Sequence, residues 1–297
     1  ALFANVSQPV NERHSLSGGL RLSGVDIDLP ATMISPAASI SIDDASADIG
    51  WLFDATDELQ FVANVGYGFR APNIFDLGTL GERPGNRFNV PNPGLTSERV
   101  LQYDFAVRKR AELWTAEFVI YQLNYRDRIQ SVLTGDTTSG GREIVQSRNL
   151  GRAEIHGAEA GLRWHPAGPW SGEILLNYTR GEQREDDGSN AAGDRIPPLN
   201  GRAIVRWELN EDLSARGSVT FADRQGRLSP RDIGDTRIDP AGTAGWAVAN
   251  VGLSWRMDDT WRFDAGVDNL LDRQYRVHGS GIDSIGRNYY LTARAGW

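Results

Sequence analysis

The chain has 297 residues, a formal net charge of −8 at pH 7 and no cysteine. The acidic balance argues against nucleic-acid binding, which needs a basic surface, and the lack of cysteine excludes disulfides and thiolate metal sites. No apolar run reaches the roughly 18 residues of a membrane-spanning helix, so a helical membrane protein is excluded.

The first predicted elements are β-strands near residues 14–28 and 41–54, with residues 1–6 as a candidate remnant of another. The clearest strand covers residues 59–70, where apolar residues alternate with small or polar ones without interruption. Its apolar face contains Leu59, Phe61, Ala63, Val65, Tyr67 and Phe69. A strand of about twelve residues is twice the usual globular length, and about ten tilted residues cross a lipid bilayer.

Further strands with the same alternation follow to the end of the chain, which brings the total to about twelve. They are predicted near residues 97–109, 112–132, 143–165, 171–183, 202–209, 213–221, 247–256, 261–268 and 288–297. Within 112–132 the apolar face switches near Val119 to Tyr121, which predicts a β-bulge at that point. Charges at every second position suit the polar lumen of a membrane barrel better than the core of a soluble sandwich.

Short and long connections alternate along this series of strands. The short ones are 54–58, 109–112, 166–170, 210–212 and 257–260, and the long ones lie near 29–40, 71–96, 133–142, 184–196, 227–245 and 271–287. Outer-membrane barrels have short periplasmic turns and long extracellular loops, so the alternation predicts which compartment each end faces. A soluble all-β repeat protein, the competing interpretation, gives no reason for such regularity.

Several segments resemble the motifs of TonB-dependent outer-membrane receptors. Residues 69–73 (Phe-Arg-Ala-Pro-Asn) and 92–98 (Asn-Pro-Gly-Leu-Thr-Ser-Glu) resemble the paired "FRAP" and "NPNL-x-x-E" boxes of that family. Residues 267–275 are similar to its "NLFDKxY" segment, 286–290 to its "PGRxY" segment and 156–159 to its "G-x-E" segment. The motif residues to which we assign a structural role are Phe69, Arg70, Ala71, Pro72, Asn92, Pro93, Asn269, Leu270, Asp272 and Tyr275.

The resemblance implies an all-β fold, the wall of an antiparallel transmembrane β-barrel. Receptors of this family have about 22 strands and a plug inside the lumen, whereas about twelve strands and no plug are expected here. We therefore expect residues 1–297 to be the C-terminal part of a barrel domain, with no plug domain in this chain. Unpaired strand edges are costly in lipid, so transport is expected only from a complete receptor.

By the same resemblance, the whole protein is an uptake receptor in the outer membrane of a Gram-negative bacterium. The implied ligand is a ferric siderophore or a similar bulky metal chelate, with haem and cobalamin as alternatives. The implied partners are outer-membrane lipid, the barrel-assembly machinery and the energy-coupling TonB complex, which acts through the plug. No cofactor, resident metal or catalytic residue is expected.

Two functions of other classes stay open on the residues alone. An autotransporter translocator is also a barrel of about twelve strands that ends in an aromatic residue. Residues 1–40, however, do not show the amphipathic helix that threads its pore. An outer-membrane phospholipase uses a Ser–His pair on the outer wall of its barrel, and the sequence shows no such pair on a lipid-facing register.

The long connection between Arg70 and Leu95 is the strongest candidate for ligand binding. Its candidate ligand contacts are Arg70, Phe75, Arg83, Arg87, Phe88 and Asn89. Guanidinium groups and aromatic rings would bind an anionic metal chelate through charge and stacking. An equally supported alternative is that the loop only closes over the barrel, while Pro72 ends the strand.

The histidines give a weaker signal. His278, in a long loop, is a further candidate ligand contact and in principle an axial haem ligand, although a solvated side chain is favoured. His156 is predicted to alternate with Glu154 into the lumen. Haem receptors that resemble this chain have a histidine between the two boxes, and residues 73–91 contain none, which argues against haem.

Two features near the C-terminus are predicted from local chemistry. Asn269 and Asp272 are expected to satisfy turn amides, with Leu270 and Leu271 packed where the penultimate strand ends. Trp297 ends the last strand on the apolar, lipid-facing register, and this terminal aromatic resembles the signal read by the barrel-assembly machinery. Anchoring at the membrane interface is the competing role for this tryptophan.

Overall fold

The computed structural model describes residues 1–31, 37–78, 81–83, 86–185 and 188–296, which form sixteen β-strands and two short helices. The strands are β1 (Leu2–Pro9), β2 (His14–Leu29), β3 (Ala38–Asp54), β4 (Leu59–Arg70), β5 (Gly81–Arg83), β6 (Arg87–Val90), β7 (Glu98–Arg110), β8 (Trp114–Thr137), β9 (Glu143–Trp164), β10 (Trp170–Arg184), β11 (Asn190–Ala192), β12 (Asn200–Glu208), β13 (Leu213–Ala222), β14 (Trp246–Arg256), β15 (Trp261–Asp268) and β16 (Asn288–Ala295). The helices are α1 (Ile74–Gly78) and α2 (Pro230–Ile233). Neither helix is long and apolar enough to span a membrane, and the described residues contain no other candidate.

Thirteen of the strands form one continuous antiparallel wall, in the order β1-β2-β3-β4-β7-β8-β9-β10-β12-β13-β14-β15-β16. Because each wall strand pairs with the next one along the chain, the topology is that of an up-and-down barrel. The short strands β5, β6 and β11 lie in the long loops, where β6 pairs in parallel with β9. The predicted all-β antiparallel fold without a substantial helix is confirmed over the described residues.

The wall begins with a strand that the sequence pattern only hints at. Residues 1–6 are predicted as a remnant, whereas the structure has a full strand, β1, that pairs with β2 from Leu2 to Pro9. All eight residues of β1 are exposed. A strand without a buried face has little reason to alternate in polarity, so its extent is hard to read from the sequence.

The two faces of the wall differ in polarity. Residues paired directly across neighbouring antiparallel strands lie on the same face of the sheet, so one residue fixes the side of a whole transverse row. Phe61 pairs with Phe53 and Val107, and this apolar side is called the outer face below. Gln60 pairs with Arg108 on the polar side, called the inner face.

Tryptophans form a girdle on the outer face, at the end of the wall that has the short turns. Trp114 pairs directly with Trp164, and Trp170 pairs with Trp207, the two rings stacking with centroids 5.0 Å apart. The other members of the girdle are Trp255 and Trp261. Aromatic girdles lie at the membrane–water interface of transmembrane barrels, so these residues mark one boundary of the apolar band.

The β-bulge predicted near Val119 to Tyr121 is wrong. The pairing of β8 with β9 is regular through that segment and shifts first near Asp127, whose φ angle is 55°, and again between Leu133 and Thr137. The inward-facing Tyr121 needs no bulge because its hydroxyl lies over Gly157 and hydrogen-bonds Thr179 at 2.8 Å. Because Gly157 has no side chain, there is room on the inner face for the large Tyr121 side chain.

His156 and Glu154 lie on the outer face, so the prediction that they point into the lumen is wrong. His156 pairs directly with Gln122 and Arg180, and it lies on the same side of β9 as the apolar Leu162. Toward the long-loop end of these strands the outer face is polar as well, since His156 lies in a row with Gln122 and Arg180. A polar residue at this height therefore does not identify the lumen.

Candidate functional site

Two ion pairs hold the first long loop at the rim of the wall. The Arg70 guanidinium, at the end of β4, contacts Asp76 of α1 at 2.6 Å and Glu98 at the start of β7. Glu98 also accepts a hydrogen bond from the backbone N–H of Ile129 at 2.7 Å. These contacts connect the loop to β4, β7 and β8, and Arg70, Asp76 and Glu98 are called the rim clamp below.

The helix α1 forms because one residue caps it and another anchors it. The Asn73 side-chain oxygen accepts hydrogen bonds from two backbone N–H groups of the first turn, at 2.8 and 3.1 Å, as an N-cap residue does. Leu77 is 1% exposed and packs against Ile40 and Leu95. These three residues, called the apolar loop core below, fix the loop next to the buried Pro72.

The second motif box docks on β9. The Asn92 side chain donates to the Ser147 carbonyl at 2.8 Å and accepts from the Gly94 N–H at 2.9 Å. The Asn149 side chain accepts from the Thr96 N–H at 2.8 Å and donates to the Thr96 carbonyl at 2.9 Å. Hydrogen bonds between side chains and backbone groups therefore attach this box to β9 of the wall.

The candidate ligand contacts of this loop differ in their exposure. Phe75 is 77% exposed, the Arg87 side chain is 52% exposed and Phe88 is half-buried. Asn89 is 2% exposed, so a ligand reaches it only after the loop rearranges. The side chain of Arg83 lies outside the described part of the chain. Contact of these residues with a ligand stays a prediction.

The turn after β15 is built on hydrogen bonds of Asn269. This residue is 4% exposed, has a φ angle of 50° and makes three side-chain hydrogen bonds to backbone groups. Asp272 accepts a further backbone N–H at 2.8 Å, so both residues satisfy amides as predicted. Leu271, however, is 73% exposed and Leu270 37% exposed. The predicted packing of Leu271 is wrong, since it lies on the outside of the turn.

Three of the remaining motif residues can be placed in the structure, whereas the terminal tryptophan cannot. Phe69 lies on the outer face near the end of β4, and Pro93 is exposed in the turn of its box. The Tyr275 ring lies against Trp246, with ring centroids 4.3 Å apart. Trp297 lies outside the described residues, so its role as an assembly signal stays a prediction.

Residues from three later loops converge in a second cluster. Asp232 of α2 is 1% exposed, and Arg195 contacts it through Nε at 3.3 Å and through its backbone N–H at 3.2 Å. The same guanidinium pairs with Asp235 and donates to the Gly279 carbonyl at 2.9 Å. His278 Nε2 lies 3.9 Å from Asp232. Arg195, Asp232, Asp235 and His278 are called the polar loop cluster below.

The burial of His278 contradicts the solvated side chain favoured from the sequence. Its side chain is 3% exposed, and Nδ1 lies 2.9 Å from the Thr243 hydroxyl, which is 35 residues away in the chain. Burial lowers the pKa of His278, and the neighbouring Asp232 carboxylate opposes this change. No spacing in the sequence joins His278 to Thr243 and Asp232, because His278 comes from a different loop.

The base of the first loop is fixed, whereas some of its side chains are exposed. The ion pairs of the rim clamp and the polar loop cluster, and the packing of the apolar loop core, hold the loops in place. Within the described ranges, no group of three or more His, Asp or Glu side chains is arranged to hold a metal ion. The exposed Phe75 and Arg87 therefore offer contact groups on a loop whose base is fixed.

Comparison with known proteins gives this site a context. A family model described as "TonB dependent receptor-like, beta-barrel" matches residues 1–270. The ferric enterobactin receptor of Pseudomonas aeruginosa is 24% identical over 292 residues, which cover 88% of this chain and 39% of that receptor. The vitamin B12 transporter BtuB of Vibrio vulnificus is 23% identical over 274 residues, which cover 88% of this chain and 40% of that transporter.

A solved structure supports the fold. The copper transporter OprC superposes with a TM-score of 0.81 at 22% sequence identity, over 98% of this chain and 46% of that one. The chain spans less than half the length of each of these three proteins. Their names give three different ligands, so the likeness indicates a kind of receptor and no particular ligand.

Proposed function

Because the chain belongs to the TonB-dependent receptors, outer-membrane proteins of Gram-negative bacteria, we propose that the whole receptor imports a ferric siderophore or a similar bulky metal chelate. Haem and cobalamin are the alternatives. Relatives of this chain are receptors and transporters rather than enzymes. Family membership therefore favours a receptor over the autotransporter and the phospholipase, which the number of strands alone leaves open.

The exposed Phe75 and Arg87 carry the preference for an anionic chelate. The nearest carboxylate to Arg87 is that of Glu143, 3.9 Å away, and both side chains are 52% exposed. Such a pair contributes little, so the guanidinium remains available to an anion. Phe75 offers an exposed ring for stacking. A loop fixed at its base loses less conformational freedom on binding, which favours affinity.

In this proposal, residues 1–297 are one part of a barrel domain. The remaining strands and the plug come from the rest of the receptor, and the TonB complex supplies energy through that plug. The barrel-assembly machinery inserts the complete wall, whose edges would otherwise leave backbone groups unsatisfied in lipid. The outer face contacts membrane lipid throughout.

Uptake by whole cells tests the proposed ligand. A deletion of the gene for the complete receptor is compared with the parent strain, using labelled ferric siderophores of several chemical types, haem, cobalamin and a copper salt. We expect loss of uptake for one type of ferric siderophore and unchanged uptake for the others. Unchanged uptake of every iron chelate, or loss for cobalamin alone, would overturn the proposal.

Variants of the full-length receptor test the exposed loop. Phe75→Ala and Arg87→Ala should each weaken ligand binding about three- to tenfold, while Arg87→Lys should retain part of the affinity because it keeps the charge. Arg231→Ala, at a 73% exposed arginine of another loop, is the control and should bind as the parent does. An equal effect of Arg87→Ala and Arg231→Ala would exclude a specific role of this loop.

A further inference from the structure

Four arginines form a transverse row across β7, β8, β9 and β10. Arg99 pairs directly with Arg126, and Arg152 pairs directly with Arg184. The two pairs are adjacent because Tyr125 pairs with Ala153 just before the register of β8 and β9 shifts. Arg126 follows Tyr125 and Arg152 precedes Ala153, so the two arginines lie next to each other. The row, called the arginine row below, consists of Arg99, Arg126, Arg152 and Arg184.

The arginine row lies on the outer face, on the side of lipid. Along β7, Arg99 is on the same side as Tyr103 and Phe105. Along β9, Arg152 is on the same side as Leu162 and Trp164. A groove of about 720 Å³ runs along the row, and most of its lining side chains share this face. The row is therefore separate from the lumen and from the exposed loop residues proposed to bind the imported ligand.

The height of the row can be estimated from the tryptophan girdle. Arg152 precedes Trp164 by twelve residues on one continuous strand. At about 3.3 Å per residue this is about 40 Å along the strand, or about 30 Å along the membrane normal for a tilt of about 40°. The apolar band of a transmembrane barrel is about 25 Å tall. The row thus lies just beyond the band, at the level of the lipid headgroups.

Within the described part of the chain, three of the four charges have no acidic partner. Arg99 has Asp44 at 3.4 Å and Asp127 at 3.8 Å. For Arg126, Arg152 and Arg184, the described residues contain no ion pair, and all three side chains are exposed. Like charges directly opposite each other destabilise a sheet. Two such pairs side by side therefore favour a bound anion, which would offset the positive charge that Asp44 and Asp127 leave uncompensated.

Two further acidic residues close to the row, Glu154 and Glu182, have other partners. Glu182 pairs with Arg180 at 3.3 Å and with Arg227 at 2.8 Å. Glu154 accepts a hydrogen bond from the Gln122 side chain at 2.9 Å. Both carboxylates lie in the row below the arginine row, nearer the membrane, and both are already engaged.

We propose that the arginine row binds the phosphate groups of a phosphorylated lipid in the outer leaflet. Guanidinium groups bind phosphate oxygens in a bidentate manner, and cationic clusters at the membrane surface attract anionic headgroups. A lipid fits better than a free anion because apolar side chains lie directly toward the membrane. Phe105 is 37% exposed, Ile120 47% and Tyr178 45%, and acyl chains would pack on them.

The experiment uses the full-length receptor in detergent, with lipid binding counted by native mass spectrometry. The probe is bisphosphorylated lipid A, compared with the same lipid after removal of its phosphates. The test variant is the triple Arg126→Gln, Arg152→Gln and Arg184→Gln. The matched control removes three charges from the inner face, through Arg202→Gln, Arg206→Gln and Arg216→Gln. Arg206 and Arg216 are also a directly opposed pair.

We expect the outer-face triple variant to bind the phosphorylated lipid at least about tenfold more weakly. The inner-face variant should bind as the parent does, and a triple substitution to lysine should recover part of the affinity. The single variant Arg152→Gln, expected to lose about threefold, keeps the test valid if the triple variant folds poorly. Uptake of the imported ligand per folded receptor should not change, which separates this inference from the proposed function.

Several results would overturn the inference. These are equal weakening by the inner-face variant, equal binding of the phosphate-free lipid, or complete displacement of the lipid by inorganic phosphate at millimolar concentration. Self-association of the receptor that depends on the arginine row, with unchanged lipid binding, would assign the surface to a second copy of the protein instead.

Discussion

The long-loop end of the wall is held by two clusters of different chemistry. The apolar loop core, with the rim clamp beside it, fixes the first loop through buried Leu77 and an ion pair at its edge. The polar loop cluster fixes the later loops through the buried Asp232 and the partly buried Arg195. The first depends mainly on the packing of a buried leucine, with exposed ion pairs beside it, and the second depends on a buried charge. The two halves of the rim should therefore respond differently to mutation, salt and pH.

The largest effect is expected for Asp232→Ala. Removing the buried Asp232 carboxylate leaves Arg195 with Asp235 as its remaining acidic partner, so the expected cost is about 3 kcal/mol, the lower end for breaking a buried ion pair. The change should appear as a lower opening free energy for residues 229–238 in hydrogen exchange of the full receptor. Asp283→Ala is the control, because its pair with Arg276 is at the surface, with side chains 62% and 40% exposed, and should cost below about 1 kcal/mol. Equal effects would show that Asp232 is not the centre of its cluster.

Leu77→Ala should open the first loop without affecting the second. The loss of a buried leucine costs about 2 kcal/mol at a site that can partly collapse. Hydrogen exchange should accelerate in residues 73–78 and 92–97 and stay unchanged in 229–238. Ile74→Ala, at a residue that is 61% exposed, serves as the matched control and should change little. Faster exchange in both loops would mean that the two clusters are coupled.

Arg70→Gln should have a smaller effect on the same loop. The Arg70 side chain is 43% exposed, so solvent screens its ion pairs and the expected cost is about 1 kcal/mol. Because screening by salt acts on exposed charges, the difference between the variant and the parent should shrink at high ionic strength. Leu77→Ala should show no such salt dependence. A salt-independent effect of Arg70→Gln would indicate that its packing matters more than its charge.

The smallest effect is a pH dependence confined to the polar loop cluster. Burial lowers the pKa of His278 below its usual value of about 6.5, so the folded loop favours the neutral imidazole. The stabilisation is fully present above the unfolded pKa and decreases as the pH falls through the lowered folded pKa. Hydrogen exchange in residues 229–238 should therefore accelerate as the pH falls below about 6.5, after correction for intrinsic rates.

His278→Gln tests the origin of this pH dependence. The variant keeps a polar side chain but does not titrate, so the acceleration below neutral pH should disappear. Asp235 should not contribute in this range, because the hydrogen bonds of Arg237 hold the pKa of Asp235 well below its usual value. An unchanged pH profile in the variant would assign the effect to another group.

Much of the wall could be predicted from the sequence because alternation is local. In β4 nearly every residue shows by its own polarity which face it occupies, the apolar Val62 of the inner face being the exception, and the register with β7 follows from matching faces. The place of the rim clamp can also be predicted from the sequence, since Arg70 and Glu98 lie at the two ends of one loop, 28 residues apart. The two motif boxes thus indicate the place of the loop, although not its contacts.

The wrong predictions concern positions where polarity does not report the surroundings. Tyr121 faces inward over Gly157, a contact across strands that no pattern within β8 reveals. His156 is polar and yet on the outer face, because the outer face becomes polar toward the long-loop end of its strand. Leu271 is apolar and yet exposed, because the backbone turns it outward.

The sequence by itself determines that this protein is a wall of long antiparallel strands with an apolar outer face. Period-two alternation and loop length are properties of neighbouring residues, and they survive without knowledge of the fold. Only the tertiary structure decides the polar loop cluster, whose Arg195 bonds Asp235 and Gly279 across 40 and 84 residues of chain. It also decides the arginine row, since each arginine is an ordinary surface residue of its own strand. Their charges act together because the pairing register places four strands side by side.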